Sequence, residues 1–187
     1  MTTVLVGLIL FLWAPFSRQV SATVDVRPVS KLTAMKSGLV AEPIARQWAQ
    51  DAQLVSMSAT WGADDEFQGG VGDWSLLYYS PSRERTALIA VHSGLATMIA
   101  NRGVTDPITL KETVSWQIDS SSLIKRLRAA GGDDFLRSQP EATISMSLDL
   151  AEDAVWRVRF IDQMSRRIFS ARVSIDDGEI LEIEQSG

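Results

Sequence analysis

The chain is expected to fold as an α+β protein: two helix-plus-antiparallel-meander units in tandem, after one N-terminal transmembrane or signal helix. Three observations lead there. First, the chain repeats itself. Asp51-Ala-Gln-Leu-Val-Ser-Met-Ser58 reads like Glu141-Ala-Thr-Ile-Ser-Met-Ser147 with one residue gapped. In each copy a tryptophan then opens an apolar strand, Trp74-Ser-Leu-Leu-Tyr-Tyr79 and Trp156-Arg-Val-Arg-Phe-Ile161. An arginine-bearing turn follows, then another strand, then a glycine, Gly94 or Gly178. Self-similarity of this length constrains architecture before any residue is given a role. Second, apolar and polar residues alternate with the period of half-buried strands. Third, a charge-free apolar run, Val4 to Phe16, precedes the body.

That run falls short of the ~20 residues that span a bilayer comfortably, and two readings compete. A signal peptide fits the core length and the small residues Val20-Ser-Ala22, but Met1-Thr-Thr3 lacks the usual positive charge. An uncleaved anchor would place Leu5, Leu8 and Leu12 in lipid, Trp13 at an interface and Arg18 among headgroups. The anchor is the favoured expectation. Positive charges follow the run (Arg18, Arg27, Lys31, Lys36), so charge bias alone puts the body in the cytoplasm.

The expected organisation is an anchor or signal segment over 1–22, a linker over 23–40, a first unit over 41–105 and a second over 106–187. Glu42-Pro43 is expected to open a helix, with Ile44 and Trp48 one turn apart on its apolar face. Strands are predicted over 53–61, 74–80 and 85–93. Asn101 to Pro107, rich in turn formers, reads as the joint between units.

In the second unit, Ile108, Leu110, Val114, Trp116 and Ile118 alternate with polar residues and predict a strand over 108–118. Asp119 is expected to cap a helix with apolar face Leu123, Ile124 and Leu127, ended by Gly131-Gly132. A short turn is expected over 133–138, stopped by Pro140. Strands follow over 142–150, 154–162 and 167–176. Asp176-Asp177-Gly178 signals a hairpin turn, and Glu179 to Glu184 closes the sheet.

This layout resembles the PepSY family in tandem, membrane-anchored form, with cystatin-like units. Trp156-Arg-Val-Arg-Phe-Ile-Asp162 is similar to the family's aromatic-led strand. Val173-Ser-Ile-Asp-Asp-Gly-Glu-Ile-Leu181 is similar to its ending, an apolar strand into an Asp-Gly turn and a final apolar pair. In the first copy, Val91-His-Ser-Gly94-Leu-Ala-Thr-Met98 lacks the acidic turn. The resemblance covers roughly residues 40–187. It implies an extracytoplasmic, periplasmic body that binds or inhibits protein partners, often peptidases, and it implies no catalysis. It therefore opposes the sidedness that charge bias suggests.

Composition narrows the function further. The chain of 187 residues has 45% hydrophobic and 22% charged residues and a net charge of −5. An acidic protein is a poor general binder of nucleic acid, which needs a basic surface. With no cysteine, a disulfide framework, a thiolate metal site and a cysteine nucleophile are excluded. The single histidine, His92, rules out any site needing two imidazoles and is read as structural or surface.

Other candidate constellations carry bland readings. Asp64-Asp65-Glu66 with Asp73 lacks calcium-loop spacing and reads as a solvated loop. Gly69-Gly70-Val71-Gly72 feeds a strand, whereas a phosphate loop feeds a helix. Asp149, Glu152 and Asp153 read as turn residues. No catalytic, cofactor or metal residue is assigned.

The arginines carry more weight. Arg157, Arg159, Arg166, Arg167 and Arg172 cluster in one hairpin of the second unit, with Arg157 and Arg159 opposite the face of Trp156 and Val158. They are candidates for docking an acidic protein surface or anionic headgroups. The bland alternative is a solvated strand face that discourages edge aggregation. Trp48, Trp74, Trp116 and Trp156 read as core; Trp61, at a strand end, is the candidate exposed interface aromatic.

The function expected is a non-enzymatic, membrane-anchored accessory protein docking on a larger complex integral to the membrane. The alternative is a secreted or periplasmic peptidase inhibitor or chaperone-like protein.

Overall fold

A computed structural model describes residues 30–62, 69–110, 116–151 and 153–187. The expected anchor residues Leu5, Leu8, Leu12, Trp13 and Arg18 lie outside them. Among the described residues, no helix is long and apolar enough to cross a membrane.

The strand signals condense into one antiparallel sheet of eight strands. These are β1 (Gln53–Trp61), β2 (Trp74–Ser80), β3 (Arg85–His92), β4 (Leu95–Gly103), β5 (Thr143–Asp149), β6 (Val155–Asp162), β7 (Arg167–Ser174) and β8 (Ile180–Ser186). Their spatial order is β4-β3-β2-β1-β5-β6-β7-β8, so three strands run outward on each side of the central β1–β5 pair. In that pair Ser58 faces Ser147, the two serines that end the sequence likeness.

One sheet face is buried by the alternation. Met57, Leu76, Ile89, Met146, Leu148, Trp156, Val158, Phe160, Phe169 and Val173 are all essentially inaccessible. Helix α1 (Ala34–Trp48) packs on the β2–β4 side of that face. Helix α2 (Ser120–Leu127) buries the expected Leu123, Ile124 and Leu127. Phe135, on α3 (Asp133–Ser138), meets Phe160 and Phe169 at ring distances of 6.2 and 6.1 Å.

The first helix corrects the sequence reading. It begins at Ala34, inside the expected 23–40 linker, and Pro43 lies within it. Its buried residues are Ala34, Ser37, Ala41 and Ala45, small side chains that let the helix lie close to the sheet. Spacing of small residues does not register as an apolar face, so the stretch looked like linker. Pro43 is exposed, where a ring inside a helix disturbs only the solvent side.

The start of α1 is fixed from a distance. Asp119 Oδ1 accepts the Ser120 amide at 2.8 Å, capping α2 as expected, and accepts the Met35 amide of α1 at 3.0 Å. Ser120 Oγ accepts the Ala34 amide at 2.9 Å and donates to the Gly70 carbonyl at 2.7 Å. One Asp-Ser pair thus satisfies orphan amides at two helix starts.

Three further expectations need correction. No strand forms over 108–110 or 116–118, although Gln117 and Ile118 donate backbone bonds to the Ile175 carbonyl; residues 111–115 lie outside the described set. Gln117 and Ile118 reach the chain just past the end of β7 without joining the strand order. Asn101 to Gly103 belong to β4, where the joint between units was expected. Gly131-Gly132 ends the α2 path as expected: Ala130 (φ −89°, ψ 18°) and Gly131 (φ +116°, ψ −11°) leave helical geometry, and a separate short helix, α3, begins at Asp133. Trp61 is 1% exposed, its indole N–H donating to the Val71 carbonyl at 2.8 Å, so the expected interface aromatic is core.

Four indoles link the centre of the core edge to face. Trp61 meets Trp74 at 5.8 Å, Trp74 meets Trp156 at 6.3 Å, and Trp156 meets Trp116 at 6.0 Å between ring centroids. Trp74 donates its indole N–H to the Leu32 carbonyl at 2.9 Å. Trp156 donates to the Ile118 carbonyl at 3.2 Å. Each acceptor lies two residues before the start of a helix, α1 or α2.

Carboxylates organise several turns. Asp51 accepts the Ser80 hydroxyl at 2.6 Å and the Ser82 amide at 2.7 Å, tying the α1–β1 turn to the β2–β3 turn. The Ser80 hydroxyl and then the Ser82 amide hold its carboxyl down at about 2. The Ser165 hydroxyl chiefly lowers Asp162, and the Glu179 amide chiefly lowers Asp177. A depressed carboxyl stabilises the fold above its unfolded value, and that stability is lost as pH falls through the folded value. For Asp51 the window runs from 3.8 down to about 2. Melting temperature is therefore expected to fall between pH 5 and pH 2.5, and to fall less in Asp51→Asn. Equal falls in thermal scans of the two proteins would overturn this assignment.

Candidate functional site

The sheet has a second face, with no described element packed across it. At its β6–β8 end the side chains alternate outward from the core residues Trp156, Val158 and Phe160. Arg157 stands directly opposite Arg172, and Arg159 opposite Ser170. Arg172 in turn stands opposite Glu182, and Ser170 opposite Glu184. Two arginines face to face repel. Asp153, in the preceding turn, answers both: its Oδ2 lies 2.7 Å from Arg157 Nη2 and 3.4 Å from Arg172 Nη2. Glu182 completes the chain at 3.3 Å from Arg172 Nη1. A shallow depression of about 120 Å³ lies among Arg157, Arg159, Arg172, Glu182 and Glu184.

The structure thus divides the five arginines. Arg157, Arg159 and Arg172 share the open face, where Asp153, Glu182 and Glu184 balance them three to three. Arg166, at φ +59°, and Arg167 belong to the β6–β7 turn, where Arg167 pairs in register with Asp162 and helps to lower its carboxyl. The result is a neutral ion-pair lattice on the face and a separate basic turn, rather than one basic patch. Exposed pairs of this kind add little stability, typically ~0–1 kcal/mol each, so stability alone does not account for the arrangement.

Toward the sheet centre the face becomes a strip of hydroxyls. Ser56, Ser58 and Thr60 of β1 stand opposite Asp149, Ser147 and Ser145 of β5. Beyond β1 it becomes apolar. Leu77, Leu88 and Ala100 line a depression of about 240 Å³ rimmed by Thr86, Asn101 and Arg102. The face is therefore graded from charged through hydroxyl to apolar across eight strands.

On the helix side lies an apolar groove of about 350 Å³ between α1 and the chain before α2, lined by Met35, Leu39, Leu54, Tyr78 and Trp116 among others. The Trp116 indole N–H there is buried without a partner among the described residues. Burial, reinforced by Glu42, pushes the Tyr78 hydroxyl up to about 12. Sequence reasoning missed this groove because Met35 and Leu39 lay in the expected linker.

The remaining candidates take structural places. His92 is exposed, its Nδ1 2.8 Å from Asp73 Oδ2, and Asp73 also accepts the Ser93 amide at 3.2 Å, bracing the β3–β4 turn. Gly69–Gly72 leads into β2, and Gly70 serves through its carbonyl. Asp149 accepts the Ala151 amide at 2.9 Å. Asp64, Asp65, Glu66 and Glu152 lie outside the described residues. Among those described, no group of three or more His, Asp or Glu side chains is gathered as a metal site would need.

No family model matches the chain, and no curated protein matches it in sequence. Among solved structures it is similar to a Clostridium difficile 630 protein described as a putative lipoprotein, at 12% identity and a TM-score of 0.44, covering 78% of this chain and 90% of that one.

Proposed function

We propose that this protein is a non-enzymatic accessory protein whose open sheet face docks on a protein partner, with the N-terminal apolar run as its membrane anchor. The body is read as two copies of one helix-plus-four-strand unit of the PepSY kind. Three parallels support that reading: the sheet order runs outward alike from β1 and β5, Ser58 faces Ser147, and Trp74 and Trp156 bond alike to the approaches of α1 and α2.

The observation that carries the docking is the graded open face. An interface needs an apolar area for affinity and ordered polar groups for register, and this face offers both on rigid strands. The Asp153–Arg157–Arg172–Glu182 lattice holds guanidinium groups in fixed positions. Its neutrality favours a mixed polar protein surface over a strongly acidic one or an anionic bilayer. The partner is read as an integral membrane complex, in keeping with the anchor.

Purification from detergent-solubilised membranes tests this. A partner retained by the wild-type chain and by a helix-side variant, Lys36→Glu, is expected to be lost with Leu88→Arg on the open face. Migration of the wild-type chain without a partner, or equal retention by both variants, would overturn the proposal. Met1 retained at the mature N-terminus is expected; Thr23 as the first residue favours the secreted reading.

A further inference from the structure

The two outer strands of the sheet differ in a way that bears on self-association. A sheet edge offers unpaired amides and carbonyls to any strand that approaches, and proteins commonly guard it with charge, proline or a bulge. Strand β8 is guarded. Glu182 and Glu184 flank Ile183, so antiparallel pairing of two β8 strands about Ile183 would set each glutamate opposite the other's. Like charges directly opposite destabilise such a pair.

Strand β4, among the described residues, carries no charged guard between Leu95 and Asn101, and its one irregularity is a bulge at Ile99. Leu95-Ala-Thr-Met-Ile-Ala-Asn101 contains no charge, no proline and no glycine. Leu95 and Ile99 are 64% and 56% exposed, although both are large and apolar. The opposite side of the strand is held by β3 and α1, so the edge is fixed in place. A bulge opposite Leu88 and Ile89, at Ile99, limits the regular pairing window to Leu95–Ile99.

We infer that β4 pairs antiparallel with β4 of a second copy, about a two-fold axis at Thr97. That axis sets Leu95 opposite Ile99 of the other copy, Ala96 opposite Met98, and Thr97 opposite Thr97. All four exposed apolar side chains of the two edges then find cross-strand partners. A two-fold interface must be self-complementary in this way, and the segment satisfies it without any charged pair. The window of five residues is narrow, so the association is expected to be weak and best trapped covalently. The inference stands apart from whatever the open face binds.

The absence of native cysteine makes the test clean. In the full chain in detergent, Thr97→Cys puts two thiols at directly paired positions, whose Cβ atoms lie within roughly 4.5–5.5 Å of each other, near disulfide reach. Mild oxidation is expected to yield covalent dimer at least about tenfold faster than with Ile183→Cys on the β8 edge. Adding Ile99→Lys to Thr97→Cys is expected to suppress the cross-link while circular dichroism stays unchanged. Association through the N-terminal segment would bring both cysteines together alike, so equal rates overturn the inference. A Thr97→Cys chain that stays reduced also overturns it, and leaves the edge to a different strand.

Discussion

Replacing Trp156 by alanine is expected to cost roughly 3–5 kcal/mol, the range for truncating a fully buried tryptophan. Whole domains hold only ~5–15 kcal/mol, so this is a large part of the total. For a body of this size the loss corresponds to a melting temperature lower by roughly 6–20 °C. The side chain is inaccessible and sits between Trp74 and Trp116, at 6.3 and 6.0 Å. It joins the two sides of the sheet through Trp74, and it fixes the approach to α2 through the Ile118 carbonyl.

Phenylalanine separates these roles. Trp156→Phe keeps most apolar bulk but leaves the Ile118 carbonyl without its indole donor, at about 1–3 kcal/mol if it stays dry. Trp74→Phe should cost less, because the Leu32 carbonyl still accepts the Gly72 amide at 2.9 Å. Urea unfolding followed by circular dichroism measures all three. A cost below about 1 kcal/mol for Trp156→Ala would show that the indole chain does not hold the core together.

These tryptophans also mark what the sequence made legible. The six strands 53–61, 74–80, 85–93, 142–150, 154–162 and 167–176 match β1, β2, β3, β5, β6 and β7 within one or two residues, because each alternates large apolar residues over its whole length. The cap at Asp119 was legible too, since it precedes a clear apolar spacing. The start of α1 was not. Its buried face is alanine and serine, and its N-terminal partner is Asp119-Ser120, 84 to 86 residues away. A cap supplied from that distance leaves no local trace.

The strand expected over 108–118 shows the opposite failure. Its alternation is real, but residues 108–110 and 116–118 form no strand, and Trp116 and Ile118 pack on the core from outside the strand order. Arginine clustering was legible as composition. Its neutralisation by Asp153 and Glu182 was not, because that depends on the pairing register of β6, β7 and β8. Trp61 looked like an exposed aromatic because it borders glycine, yet the same loop supplies the Val71 carbonyl that receives its N–H.

Gly70→Ala is expected to be the most damaging single-methyl change in the described residues. The backbone there has φ +61°, a left-handed conformation that costs a side-chain-bearing residue about 1–2 kcal/mol. The added Cβ would also lie 2.5 Å from the Ser120 carbonyl carbon and 2.6 Å from the Ser121 amide nitrogen. Both are backbone atoms at the start of α2, unable to rotate aside, and forced overpacking typically adds about 1–3 kcal/mol. The displacement falls where Ser120 Oγ joins the Gly70 carbonyl to the Ala34 amide, so the starts of both helices move together. A total loss of about 2–5 kcal/mol is therefore expected from the two effects combined. Gly69→Ala is the control, since a Cβ there meets only Val71 methyls at 3.8 Å. It should stay within about 0.5 kcal/mol of wild type. If urea unfolding placed the two alanine variants within 0.5 kcal/mol of each other, the convergence of α1, α2 and the Gly70 turn on Ser120 would not be the rigid joint described.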